Sequence, residues 1–399
     1  MKNFKRWGKI VRAKLLRLKE AMERAGIEVL IALSPENIFY LTGLRTYLGT
    51  PNRATFNSPR LSPGSVAGIY DGQSVDLICN SSWARMVEED CKVNNAFFYP
   101  TLSRIIGGTT PTIFADNALD ALVKLLAQRG YLDATTIGVE MNFIPVNLYL
   151  RLSERFPKAK FVDATNLFLQ NREIKDEAEV EKIRKAAAKT AEAISETISN
   201  IKEGMAESDL LYIFKSNLLQ NGLDWNTTTI GAGYRSAEVQ NIVSGAYRVK
   251  KGDFIRFDVG GIFEGYCADV SRCASLGQPL PEVAQLYQSH LKAQEQILTL
   301  IRPDQVIAEV YKAGLEILHQ CGHADYTPKR LGHGIGLTAH ELPSFGPEAD
   351  GVFKPGMVIT VEVPFYIREV AGFNIENNVL VTEQGIEVLD KTSKELIII

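Results

Sequence analysis

Four carboxylates and one imidazole are the residues of this sequence most able to do chemistry. Asp258 and Asp269 lie in KGDFIRFDVGGIFEGYCADVSR, with Gly260, Gly261 and Gly265 between them. An antiparallel hairpin with Phe263 and Glu264 at its tip sets the two aspartates opposite each other on one sheet face. Their Cβ atoms are then about 4.5–5.5 Å apart. Ionised carboxylates that close repel unless a cation separates them, and hard oxygen donors suit Mn²⁺, Mg²⁺ or Ca²⁺. Two unrelated acids near a turn give the same local pattern. His333 stands between Gly332 and Gly334 in LGHGIGLTAHELP, followed by His340 and Glu341. The glycines permit close backbone approach and leave the imidazole accessible; an ordinary glycine-rich loop is the alternative. Glu362 and Glu376 each fall in an apolar, strand-like run of GMVITVEVPFYIREVAGFNIENNVLVTEQG. A hairpin centred on Glu369 sets them opposite each other. A buried carboxylate needs a partner, although either glutamate could instead be half-exposed on a sheet edge. Taken together, the five side chains could hold two divalent ions, typically ~3.5–4 Å apart in two-metal hydrolases.

The elements that must position them fall into two blocks. Residues 6–25 have the apolar spacing of a helix, with Trp7, Val11, Leu15, Leu18 and Met22 on one face. EVLIAL, residues 28–33, reads as a buried strand, and Pro35 and Asn37 as the start of a turn. Residues 44–65 read as a long irregular loop. Strands alternating with helices up to about residue 165 indicate an α/β domain, residues 1–165. Residues 176–201 contain no Gly or Pro. Their stripe of Val180, Ile183, Ala187, Ala191, Ile194 and Ile198 is the strongest helix signal of the chain. Helices over about 207–221, 281–301 and 304–321 alternate in blocks with β-rich segments at 253–260, 266–273, 356–363 and 374–389. That indicates an α+β second domain, residues 166–399.

Composition narrows the function. The chain has 399 residues, 44 Lys+Arg, 47 Asp+Glu and a formal net charge of −3. That balance argues against a nucleic-acid binder. Five cysteines without a Cys-x-x-Cys pair suit a reducing compartment, and a cytoplasmic location is expected. No apolar run approaches the ~18–20 residues that span a bilayer, so no membrane partner is expected. The basic N-terminal stretch reads as a solvated helix face, with a membrane-surface or targeting helix as the alternative. His319, Cys321 and His323 (HQCGH) have zinc-binding side chains, but Gly322 favours a plain helix C-terminus. Cys267 and Cys273 read as small buried side chains, and Tyr234 and Tyr266 as packing residues.

With these residues in place the sequence resembles the pita-bread metallopeptidases, the group of methionine aminopeptidase, aminopeptidase P, prolidase and creatinase. The family's ordered metal pattern of Asp, Asp, His, Glu, Glu maps onto Asp258, Asp269, His333, Glu362 and Glu376. The local wording D-x-G…Y-x-x-D-x-x-R is met by Asp258, Gly260, Tyr266, Asp269 and Arg272. PENIFYLTG and NREIKDEAEVEKIRKAA are similar to the prolidase and creatinase branch. The resemblance implies a creatinase-type N-terminal α/β domain followed by an α+β pita-bread catalytic domain, and a homodimer. It implies two divalent ions, Mn first, with Co, Zn or Fe as the others. Asp258 would bind one, His333 and Glu362 the second, and Asp269 and Glu376 would bridge. His340 and Glu362 would carry catalysis, with a metal-bridging hydroxide attacking an amide carbonyl and His340 donating to the oxyanion. The implied activity is Xaa-Pro dipeptidase-like, on a dipeptide or other small molecule.

The sequence also departs from that pattern. Gln240 stands where these peptidases carry a substrate-side His, and Arg235 where they carry Asn. Asn374 replaces an Arg two residues before the last Glu, and Val363-Pro364 follow Glu362 in place of Pro-Gly. Gln cannot shuttle a proton near neutral pH, and losing Arg removes a carboxylate clamp. Arg235 could replace that charge. These changes keep open a creatinase-like or ectoine-hydrolase-like enzyme acting on a non-peptide C–N bond, or a metal-dependent lyase. A binding module that has lost catalysis predicts decayed ligands, and all five are present.

Overall fold

The computed structural model describes residues 9–45, 66–101, 111–131, 135–240, 243, 245–322 and 326–399. The chain divides into two units, Met1–Asn171 and Arg172–Ile399. The first is built on β1 (Val29–Ala32), β2 (Ala67–Tyr70), β3 (Val75–Asn80), β4 (Asn95–Tyr99), β5 (Thr136–Val139) and β6 (Lys160–Asp163), ordered β4-β3-β2-β1-β5-β6. β1 is apolar throughout because both of its faces are covered. Leu30 and Ala32 pack with Leu15, Leu18 and Met22, whereas Val29 and Ile31 pack with Leu122, Leu126 and Leu148. The N-terminal helix is seen as Lys9–Ala25; Trp7 lies outside the described residues, as does most of the expected loop over 44–65.

One element differs from expectation. Pro35–Thr42 is a helix rather than a turn. Ser34 caps it, accepting from the Asn37 N–H, Pro35 opens it, and Gly43 closes it at φ 79°. Pro at the first helical position loses no helical bond, and a Ser cap with a left-handed Gly close fixes both ends.

The second unit opens on the helix Glu177–Ile198, whose start is a reciprocal cap between Asp176 and Glu179. All six residues of its predicted stripe are buried. They face a sheet made of β7 (Asp224–Ala232), β8 (Phe254–Phe263), β9 (Tyr266–Cys267), β10 (Val270–Ser275), β11 (His333–Gly334), β12 (Glu341–Ser344), β13 (Val358–Glu362) and β16 (Glu376–Thr382), with β17 (Gly385–Val388) on β16 and β18 (Ile397–Ile398) on β10. The main path is β12-β11-β13-β16-β10-β8-β7, and β9 pairs with β8. Between β13 and β16 rises a hairpin of β14 (Phe365–Ile367) and β15 (Ala371–Phe373). Further helices run over Glu207–Gln220, Pro281–Leu300 and Ile307–Gln320. Phe254, Tyr287 and Phe373 form an aromatic cluster in this unit's core, with centroids 5.5–6.0 Å apart, the tilted or edge-on spacing that aromatic quadrupoles favour. Among the described residues, no helix is long and apolar enough to cross a membrane.

Candidate metal centre

Sheet register builds the site. Asp258 pairs with Ser271, Ser271 with Glu376, and Glu376 with Glu362. Residues paired across a sheet point to the same face, so one row over β8, β10, β16 and β13 carries three of the carboxylates side by side. The Glu362–Glu376 pairing is the one expected from a hairpin centred on Glu369, which sits at the turn with φ 64°.

The first hairpin corrects the expected register. Its tip is Glu264-Gly265, both at positive φ (49° and 90°), a geometry that two-residue hairpin turns require. Asp258 therefore faces Ser271 rather than Asp269. A slip of two residues preserves the face, where a slip of one reverses it. Asp269 thus still joins the row's face, from the link between β9 and β10.

The five side chains converge. Ligand atoms of Asp258, Asp269 and Glu376 lie within 4.8 Å of one another; so do those of His333, Glu362 and Glu376, and those of Asp269, His333 and His340. Asp269 is 5% and Glu376 1% exposed, and Asp269 Oδ1 has no hydrogen-bond partner. His333 Nδ1 lies 3.0 Å from the Gly334 carbonyl, which fixes the Nδ1–H tautomer and leaves Nε2 as the electron-pair donor, 3.9 Å from Glu362 Oε1. The electrostatics follow. Burial, then Asp258 and Glu362, push the Asp269 carboxyl well above its usual range. Burial, then Asp269, Glu362 and Asp258, do the same to Glu376. Burial and Asp258 raise Glu362 to about 7. Burial, then His340, lower His333 to about 3, so its imidazole is neutral, the form that binds metal. Buried carboxylates that strain against ionisation, with an orphaned oxygen among them, fit divalent cations.

The two glycines beside His333 have a steric reason. A Cβ on Gly332 would overlap the Thr360 carbonyl, and one on Gly334 the Leu342 carbonyl. β11 is squeezed between β12 and β13. Gly334→Ala is expected to cost about 2 kcal/mol or more and to lower metal content, checked by thermal melting and elemental analysis. Unchanged melting would reject the steric reason.

The substrate-side expectations fare unevenly. His340 joins His333, ring centroids 4.1 Å apart. Asn374 lies between the glutamates, its amide donating to Glu362 Oε2 at 3.3 Å and Glu376 Oε2 at 3.4 Å. Gln240 lines a cavity of about 500 Å³ with Ala237, Glu238, Val239, Tyr366 and Arg368. Arg235 is placed otherwise: its Nε lies 3.0–3.1 Å from both oxygens of Glu207, a fully buried carboxylate, so that charge already has a strong partner. His319 Nε2 is 3.2 Å from the Tyr326 carbonyl, and His323 lies outside the described residues. Cys267 and Cys273 are buried, and burial pushes the Cys273 thiol up to about 12, which makes it unreactive. Tyr266 donates to Glu179 and packs inside.

Three charged side chains near the site are given no role by the sequence, although Glu341 is named in the His333 motif. Arg330 Nε is 3.5 Å from Glu362 Oε1. Arg256 pairs with Asp258 at 2.9 Å. Glu341 is held by Arg172 and Lys175. Position two before Asp258 on one strand was the available signal for Arg256; partners that come from far along the chain gave none for the others.

The sequence pattern of Metallopeptidase family M24 matches residues 181–383, which include all five side chains. The chain belongs to metallopeptidase family M24. The Creatinase/Prolidase N-terminal domain pattern matches residues 14–174. An uncharacterised peptidase of Staphylococcus epidermidis is 27% identical over 383 residues, 96% of this chain and 99% of that protein. Among solved structures, the X-Pro aminopeptidase of Thermotoga maritima MSB8 is 25% identical, with TM-score 0.78, covering 96% of this chain and 99% of its own. The prolidase of Pyrococcus furiosus is also 25% identical, with TM-score 0.76, covering 94% and 99%. This M24 protein is a metal-dependent peptidase built from a creatinase-type N-terminal domain and a pita-bread catalytic domain.

Proposed function

We propose that this M24 protein is an Xaa-Pro dipeptidase-like hydrolase with two divalent cations, Mn first, acting as a homodimer in the cytoplasm. The observation that carries the reading is the sharing of Glu376 between two ligand groups, Asp258–Asp269–Glu376 and His333–Glu362–Glu376. A carboxylate common to two groups suits a bridge between two cations. The X-Pro aminopeptidase and prolidase among the similar structures support the substrate class. Cations held by these residues would supply Lewis acidity and lower the pKa of water toward neutral pH.

The chain's own residues supply the rest. Burial, then Arg330, hold His340 below its usual pKa, so a neutral imidazole is available to donate one N–H to a developing oxyanion. Asn374 cannot clamp a carboxylate, because its amide is spent on Glu362 and Glu376. Arg330, 41% exposed beside Glu362, is the cation placed to meet an anionic substrate group in its stead.

The test is metal analysis with a panel of Xaa-Pro dipeptides and small cyclic or guanidino amides. About two transition-metal ions per chain and cleavage of Xaa-Pro dipeptides are expected. Retained metal with no dipeptide cleaved would defeat the dipeptidase assignment. It would favour the second reading, hydrolysis of a non-peptide C–N bond, to which the commitment of Asn374 and the neutral Gln240 already lean.

A further inference from the structure

Arg256 is fully buried in β8, two residues before Asp258 and so on the same sheet face. Every N–H of its guanidinium has an acceptor. Nε donates to the Ser236 carbonyl at 3.0 Å, and Nη2 to the Glu238 and Val239 carbonyls at 2.6 and 3.5 Å. Nη1 donates to Asp258 Oδ2 at 2.9 Å and to the Tyr366 hydroxyl at 3.2 Å. The guanidinium carbon also lies 5.0 Å from the Tyr366 ring centroid, within cation–π range.

A guanidinium only donates, so the Tyr366 oxygen accepts in this bond and its own O–H must point elsewhere. Among the described residues it donates to no side chain or carbonyl, and Tyr366 lines the 500 Å³ cavity with Glu238 and Gln240. Burial, opposed by Arg256 but aided by Asp258, Glu362 and Glu376, raises the phenol pKa, so the proton stays on. Gln240 leaves this wall without an imidazole, and the phenol, anchored by Arg256, is a fixed donor on it beside Arg368 and the Gln240 amide.

We infer that Arg256 is a positioning residue that turns the Tyr366 hydroxyl into the cavity, where it donates a hydrogen bond to an anionic oxygen of the substrate. One guanidinium thereby ties a metal-ligand candidate, the 236–239 backbone and the donor into a single unit. The inference deepens the proposed hydrolase reading but does not need its substrate: the Tyr366 hydroxyl and Asp258 Oδ2 share one guanidinium nitrogen, so an oxyanion bound beside Asp258 should feel the donor.

Inorganic phosphate is therefore the probe, titrated calorimetrically into the Mn²⁺-loaded full chain, with metal content measured for each variant. Tyr366→Phe is expected to weaken phosphate binding about tenfold. Arg256→Lys keeps the charge beside Asp258 but loses the fork, and should weaken binding similarly. The double variant should be no weaker than the worse single, because both changes remove one donor. The inference is overturned if the wild type does not bind phosphate, if Tyr366→Phe binds it equally, or if the two effects multiply. Loss of folding or of metal in Arg256→Lys also overturns it, since that assigns Arg256 to the scaffold alone. In a parallel turnover arm with Ala-Pro, Tyr366→Phe should lower kcat at unchanged KM. Wild type that binds phosphate but leaves Ala-Pro intact counts against the proposed substrate, not against this inference.

Discussion

Glu376→Gln is expected to remove metal and activity together. Glu376 is 1% exposed and belongs to two of the three ligand groups. Gln keeps its shape and one oxygen but loses the charge that would hold a cation. A fall in kcat/KM of at least about 10³-fold, roughly 4 kcal/mol of transition-state stabilisation, should accompany metal loss. Melting gives an independent readout. Wild type at 100 times the dissociation constant of its metal gains about 2.7 kcal/mol, and the variant should lose most of that gain. In chelator the order should invert: the metal-free variant should melt no lower than metal-free wild type, because one member of a crowded carboxylate group has been neutralised. Full metal content in Glu376→Gln would refute the assignment of this residue.

The second large effect lies just outside the chemistry, at Glu341. Its carboxylate is 1% exposed and bridges Arg172 and Lys175, themselves 5% and 3% exposed. It also accepts from the Leu337 and Thr338 N–H groups at 2.8 and 3.2 Å, the segment that leads from His333 to His340. Glu341→Gln would leave two buried cations facing one neutral amide. Breaking a buried pair in this way costs about 3–5 kcal/mol. In a unit of this size that corresponds to a drop in Tm of roughly 10 °C. The pH dependence carries a signature. Burial alone would raise the Glu341 pKa, but Arg172 and Lys175 lower it from 4.5 to about 2. A carboxyl whose folded value lies below its unfolded value adds stability that is complete above about 4.5. That stability is lost as pH falls toward 2, and amounts to about 3 kcal/mol. The stability difference between wild type and Glu341→Gln should therefore shrink on acidification through that window. A constant difference from pH 6 to pH 2.5, or equal melting at neutral pH, would dismiss the role.

What was legible in the sequence tracks how local the determining physics is. The helix Glu177–Ile198 is legible through an uninterrupted apolar stripe, all within 22 residues. The facing of Glu362 and Glu376 could be read because one symmetric hairpin separates them. The first hairpin was misread by two residues because Glu264, an ordinary residue, adopts positive φ beside Gly265, and nothing in its side chain advertises that. Parity rescued the conclusion: both registers put Asp258 and Asp269 on one face. Pro35 reads locally as a turn former, whereas it opens the helix Pro35–Thr42. Arg235, read from its place in the substrate-side segment as a replacement charge, is paired with Glu207, 28 positions earlier, and that pairing leaves no local sequence signal. Arg330 reaches Glu362 across loops, and Arg172 meets Glu341 over a separation of 169 residues; such meetings are products of tertiary closure and leave no trace in periodicity.

The hairpin between β13 and β16 has one more consequence. Its rungs Phe365–Phe373, Tyr366–Gly372 and Ile367–Ala371 form a separate two-stranded sheet in the same register as the Glu362–Glu376 pair. Adding or deleting one residue on each arm leaves those glutamates paired, while the bend moves outward or inward by one rung. The arm is therefore a sliding rule: its reach can be retuned over generations, or by an engineer, while the row of Asp258, Glu376 and Glu362 stays where it is.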